Sequence, residues 1–118
     1  MNDMNIFFSN IEAMKGHQII SHLVFQIGVV ACAEEIIFRG VIAGELTKHV
    51  RPIFVYIISS FLFSIFHFAA YGGETFPLII AFVFGNILLL LARRFNIGAA
   101  IGLHAAYNLF IMGVTVLS

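Results

Sequence analysis

Charge is what this chain of 118 residues has least of: 10% of it is charged, against 61% hydrophobic. A soluble domain typically carries about 25% charged and about 45–50% apolar residues. The deficit excludes an ordinary water-facing surface and points to an integral membrane protein. Basic and acidic residues number six each and cancel. With no excess of either sign, nucleic acid is not an expected partner. The single cysteine, Cys32, excludes an internal disulfide and leaves the redox compartment unread. It reads as a small buried residue rather than a nucleophile. Residues 1–18 lack a basic start followed by an apolar run, so no cleavable signal peptide is expected. Period-2 alternation is missing, which argues against barrel strands. No internal repeat or pair of broken helices suggests a transporter.

What the chain does have is four apolar runs. They are segment A (about 18–46), B (53–71), C (76–92) and D (97–117). About 20 residues cross a bilayer core. Segment A is long for one span, so it is tilted or its last turns emerge. Pro52 suits the start of a helix, and Gly72-Gly73-Glu74-Thr75 reads as a turn. The expected fold is all-α, a polytopic membrane bundle of about four transmembrane helices. Residues 1–17, with Ile6, Phe7, Ile11 and Met14 at helical spacing, form an interfacial or flexible segment ahead of a core at 18–118. The loops after A and C hold Lys48, Arg51, Arg93 and Arg94. The positive-inside rule places those loops in the cytoplasm and both termini outside. The pairs Gly40/Gly44 and Gly98/Gly102 permit close helix approach, and they carry no chemistry.

Against this background the stretch Glu34-Glu35-Ile36-Ile37-Phe38-Arg39 is conspicuous. One carboxylate or guanidinium at a bilayer centre costs roughly 2.5–3.5 kcal/mol on insertion scales. Glu35 and Arg39 stand four apart, in the favourable order for an ion pair. Glu34 then points about 100° round the helix toward something else. The other polar candidates are His67 in segment B, Asn86 in C, and His104 and Asn108 on one face of D. Segment A adds His22, Gln26 and Glu45. On straight helices, depth from the basic ends is ~18 Å for Glu34, ~21 Å for His67 and ~16 Å for Asn108 at ~1.5 Å per residue. His104 comes out shallower, at ~10 Å, near Arg39.

A carboxylate in an apolar site is a stronger base, and beside a histidine it could hold and deprotonate a water. A second histidine and an asparagine could stabilise the oxyanion of a tetrahedral intermediate. That set suffices to hydrolyse an amide bond. The same residues admit Zn²⁺, with Glu34, His67 and His104 as ligands and water in the fourth position. No H-E-x-x-H occurs, and the metal-free reading is preferred, with no cofactor.

The pattern resembles the CAAX protease and bacteriocin-processing family of intramembrane endopeptidases. The family's E-E-x-x-x-R corresponds to Glu34, Glu35 and Arg39, and its F-x-x-x-H to Phe63 and His67. Its H-x-x-x-N corresponds to His104 and Asn108, and an intervening F-x-x-G to Phe82 and Gly85. The resemblance spans about residues 31–109. It implies cleavage of peptide bonds in or beside the membrane, of a CAAX-type prenylated or a bacteriocin-type peptide. It also implies residence in the membrane, for many members the bacterial plasma membrane. Carried over, it makes Glu34 the general base, His67 its partner on the water, and His104 with Asn108 the oxyanion hole. Glu35 and Arg39 support the site. Family members usually have six to eight transmembrane helices, so this chain is a fragment, a minimal member, or a subunit of a homo-oligomer. The competing reading is a non-catalytic immunity protein that sequesters a peptide and tolerates Glu34→Gln.

Overall fold

The computed structural model describes residues 3, 5, 9, 16–70 and 72–117, with the backbone alone for Gln26 and 115–117. The expected interfacial segment 1–17 lies mostly outside them. The described residues contain helices and turns and no strand. We label the helices α1 (residues 16–47), α2 (Pro52–Phe66), α3 (Thr75–Arg94) and α4 (Ile97–Leu117). These four follow segments A to D in order; the described residues 3, 5 and 9 are helical as well.

Local chemistry explains most of the boundaries. Arg51 is extended and Pro52 takes the first helical position of α2, where a missing N–H costs nothing. Gly72 and Gly73 both have positive φ, which turns the chain into α3 at no side-chain cost. Asn96 caps α4, its Oδ1 accepting the Ala99 N–H at 2.9 Å. Two boundaries depart from the sequence reading. First, α1 is interrupted by wide-turn π-helical stretches, Phe25–Val30 and Ile36–Ile42, flanking the α-helical Ala31–Glu35. Apolar periodicity cannot reveal such turns, because the composition is the same on either side. Second, segment B stops at Phe66, well short of residue 71, so His67 sits at the helix end.

The bundle is packed by α2 against α3, α3 against α4, and the Ala31–Glu35 stretch of α1 against α4. One apolar cluster joins Phe38, Phe63, Ala81, Leu88 and Ala100; a second joins Ala43, Val55 and Leu89 nearer the basic end. At that end Arg93 donates to Thr47 and lies over the Tyr56 ring, tying α1, α2 and α3 together. The surface pattern is inverted. Phe76 is 72% exposed, and Val41, Phe61 and Phe110 are exposed too, while Glu35, Arg39, Ser59, Ser60, Ser64 and His104 are buried. Among the described residues two helices are long and apolar enough to cross a membrane: Thr75–Arg94, with mean hydropathy 2.4, and Ile97–Val114, with 1.6. The α2 helix is apolar but shorter, at 15 residues.

The tight approach between helices occurs at Gly85. A Cβ on Gly44 or Gly102 would meet nothing within 4 Å, on Gly40 it would meet Ile97 at an ordinary 3.7 Å, and on Gly98 only the capping Asn96 of its own helix at 3.0 Å, whereas on Gly85 it would lie 3.2 Å from Phe63 and from Ser60 of α2. Phe63 has little room to retreat, being 2% exposed and wedged against Phe38 and His67. Gly85→Ala is therefore expected to destabilise the fold by about 1–3 kcal/mol, as overpacked cores do. A lowered Tm in detergent micelles is the readout; an unchanged Tm would mean that α2 and α3 separate freely there.

Candidate active site

The site begins with how α2 ends. The His67 N–H bonds to the Ser64 carbonyl at 3.1 Å, three residues back. This tightening leaves the Phe63 carbonyl without its i+4 backbone donor, and the imidazole takes its place: His67 Nδ1 lies 2.7 Å from Phe63 O. A carbonyl only accepts, so Nδ1 carries the proton. Nε2 is thereby aimed across the bundle, 3.3 Å from Oε2 of Glu34.

Glu34 and Glu35 share one turn of α1 and reach the same imidazole from opposite sides. Glu35 is 0% exposed, and its Oε1 lies 2.6 Å from His104 Nδ1. Glu34 Oε2 lies 3.6 Å from Nε2 of the same ring. Phe63 and Phe84 both meet that ring edge-on, at 5.8 and 5.9 Å between centroids. Oε2 of Glu34 is buried and makes no hydrogen bond among the described residues. Two imidazole nitrogens thus converge on one carboxylate oxygen. The Glu34 and His67 side chains, 15% and 17% exposed, keep an opening to the outside.

Arg39 completes the support. Its Nη1 lies 3.2 Å from Glu35 Oε1, and its Nη2 donates to the Gly85 carbonyl at 3.1 Å. Its guanidinium stacks over the Phe63 ring at 4.3 Å. One side chain therefore links α1, α2 and α3 behind the site.

The structure brings together Glu34, Glu35, Arg39, His67 and His104. Asn108 lies one turn beyond His104, half-buried, and makes no hydrogen bond to any of them among the described residues. The straight-helix depth that separated His104 from Glu34 is corrected. Counting back from residue 46 to Glu34 crosses the whole Ile36–Ile42 stretch, and i→i+5 turns hold more residues than α-helical ones. Glu34 consequently lies shallower than the count suggests. Asn86 is satisfied within its own helix by the Phe82 carbonyl at 2.9 Å. Glu45 is exposed, paired with Lys48 at 3.1 Å and His49 at 3.4 Å, away from the site. Sequence reasoning assigned no role to Phe84 or to the Gly85 carbonyl. A lone glycine inside an apolar helix was the available signal for the second; nothing signalled the first.

Four helices that bury Glu35, Arg39 and His104 and leave Glu34 and His67 part-exposed at one opening, under an apolar exterior, define a helical protein with a hydrolase-like polar centre. The family model described as type II CAAX prenyl endopeptidase Rce1-like matches residues 16–110. The chain belongs to that family, which is one of membrane peptidases, in agreement with the motif resemblance. No curated protein and no solved structure matches the chain.

Proposed function

We propose that the chain is a multi-pass membrane endopeptidase that hydrolyses a peptide bond in or beside the bilayer through a water activated by Glu34. The carrying observation is the convergence of His67 Nε2 and His104 Nε2 on a buried Glu34 oxygen that has no hydrogen bond of its own. A carboxylate with one oxygen buried between two imidazoles and its side chain part-exposed suits a base that takes a proton from water. His67, with its Nδ1 proton committed to Phe63, offers a lone pair to the same water. Asn108, on the face of α4 that carries His104, supplies an amide donor for the oxyanion. Glu35 and Arg39 hold α1 against α4 and α3. Membrane residence is supported by the inverted surface and by the two helices of spanning length.

The donor types of Glu34, His67 and His104 would also suit Zn²⁺, since both histidines hand their other ring N–H to an oxygen acceptor. Yet no group of three or more His, Cys, Asp or Glu side chains among the described residues is arranged to hold a metal ion. The steps above are accordingly written without one. The family description makes a prenylated C-terminal peptide the first substrate to try. Purified protein in vesicles, given a farnesylated peptide with three residues after the modified cysteine, is expected to release a tripeptide. Chelation should leave that rate unchanged; loss restored by Zn²⁺ would transfer the water to a metal. No product from this or from an unprenylated membrane peptide would favour sequestration instead.

A further inference from the structure

The end of the bundle that carries the α1–α2 and α3–α4 turns concentrates positive charge. Lys48 and Arg51 stand in the first turn, and Arg93 and Arg94 close α3 just before the second. Among the described residues the carboxylate at that end is Glu45, and it is already engaged: Lys48 Nζ lies 3.1 Å from it and His49 Nε2 lies 3.4 Å from it. Glu74 sits at the opposite end, ahead of α3. Arg93 donates to Thr47 of α1, and its guanidinium lies 5.5 Å from the centroid of the Tyr56 ring of α2. Both partners are neutral, so they orient this cation without cancelling it. Arg51 and Arg94 are exposed, and among the described residues their side chains have no hydrogen bond or ion pair. Two helices begin at this end and two finish there, so their dipoles oppose one another and leave the side-chain charge standing. Around the guanidinium groups, Ile53, Phe54 and Phe95 are exposed, Phe95 at 68%. Cations among exposed apolar rings fit the boundary layer of a bilayer, where the rings enter the acyl region and the cations stay level with the phosphates.

We propose that this end of the bundle binds the headgroup of an anionic phospholipid, with Arg51 and Arg94 taking its phosphate and Arg93 keeping the turns that carry them side by side. A guanidinium presents paired N–H donors that match two phosphate oxygens. The charge selects the lipid. A zwitterionic headgroup brings its own ammonium, which the unmatched arginines repel, whereas an anionic headgroup brings net negative charge and no competitor. The apolar surroundings select a lipid over a soluble phosphate, since only a lipid has acyl chains to lay against Ile53, Phe54 and Phe95. A headgroup held from both turns would fasten α1 and α2 to α3 from outside, as Arg93 does from within. The inference rests on membrane residence and is independent of the peptidase chemistry, because Arg51 and Arg94 belong to the basic end and not to the cluster around Glu34.

Native mass spectrometry of the full chain in micelles tests it, with phosphatidylglycerol and phosphatidylcholine of identical acyl chains added in equal amounts. Wild type is expected to retain phosphatidylglycerol over phosphatidylcholine by about tenfold or more, since each cation at a charged membrane surface adds roughly fivefold. Arg51→Gln/Arg94→Gln should bring the two lipids close to parity. Both side chains are exposed and unpaired among the described residues, so the variant is expected to keep the wild-type Tm in lipid-free micelles. Glu45→Gln/Lys48→Gln removes a matched pair and leaves the net charge as it was; it should keep the preference. Equal retention of the two lipids by wild type would overturn the proposal. So would a preference that survives loss of both arginines, or one that the matched-pair variant abolishes equally. Inorganic phosphate in large excess should not displace the lipid; displacement would make this a site for a soluble anion. Carbonate washing of vesicles that carry the chain checks the premise separately: release from the vesicles would refute membrane residence, whatever the lipid preference in micelles.

Discussion

Glu34→Gln is expected to lower peptide hydrolysis by about 10²–10⁴-fold, the range that a positioned general base contributes. The substitution keeps the shape of the side chain, and the site can accommodate it. Oε2 of Glu34 makes no hydrogen bond among the described residues, so an amide group there displaces none at that atom. What it removes is the capacity to take a proton. The variant should therefore reach the membrane, unfold at the wild-type temperature and bind a substrate peptide with little change in KM, while kcat collapses. Mass spectrometry of membrane peptides from cells carrying wild type or variant, at matched levels, would show a product ladder with wild type alone. Undiminished products with the variant would remove Glu34 from the chemistry.

Arg39→Met should have the largest effect on stability, a loss of about 3–5 kcal/mol, because removing one partner of a buried ion pair strands the other. Glu35 lies 3.2 Å from the guanidinium and is 0% exposed. The same substitution deprives the Gly85 carbonyl of its donor and the Phe63 ring of its cation. An SDS titration of protein in mixed micelles would read the loss as a lowered midpoint. The double variant Glu35→Leu/Arg39→Met should recover much of it, since an apolar pair of similar size leaves no stranded charge. It should remain inactive, with His104 no longer held. A single variant as stable as wild type would mean that water, not Arg39, solvates Glu35.

The helices were legible because long apolar runs are separated by residues with an evident reason to start or turn the chain: Pro52 at the start of α2, the Gly72-Gly73 pair ahead of α3, Asn96 ahead of α4. Glu34, Glu35, Arg39, His67 and His104 were legible because charge and imidazole stand out in such a background. Three things were not. The end of α2 was hidden, since residues 67–71 hold no proline or glycine to mark a stop; there the imidazole of His67 takes up the Phe63 carbonyl. The level of His104 was hidden by the wide turns of α1. That both glutamates grip one ring was hidden as well, because adjacent helical positions ordinarily diverge by about 100°. The G-x-x-x-G spacings, read as permitting close approach and assigned no chemistry, are not where the tight contact between helices falls: that is Gly85, where a single glycine meets Phe63 and Ser60.

The Ile36–Ile42 stretch has a consequence for changes of length. Its i→i+5 turns accommodate more residues than the α-helical ladder on either side would. Ile36, Ile37 and Val41 are exposed there and can exchange for other apolar residues at little cost. Deleting any one residue of the stretch is a different matter. The backbone could then relax toward ordinary α-helix, and locally nothing would look damaged. Everything upstream, Glu34 and Glu35 included, would swing by one position, about 100°, relative to α2 and α4. The stretch thus acts as a spacer whose length, more than its lettering, decides where two carboxylates point.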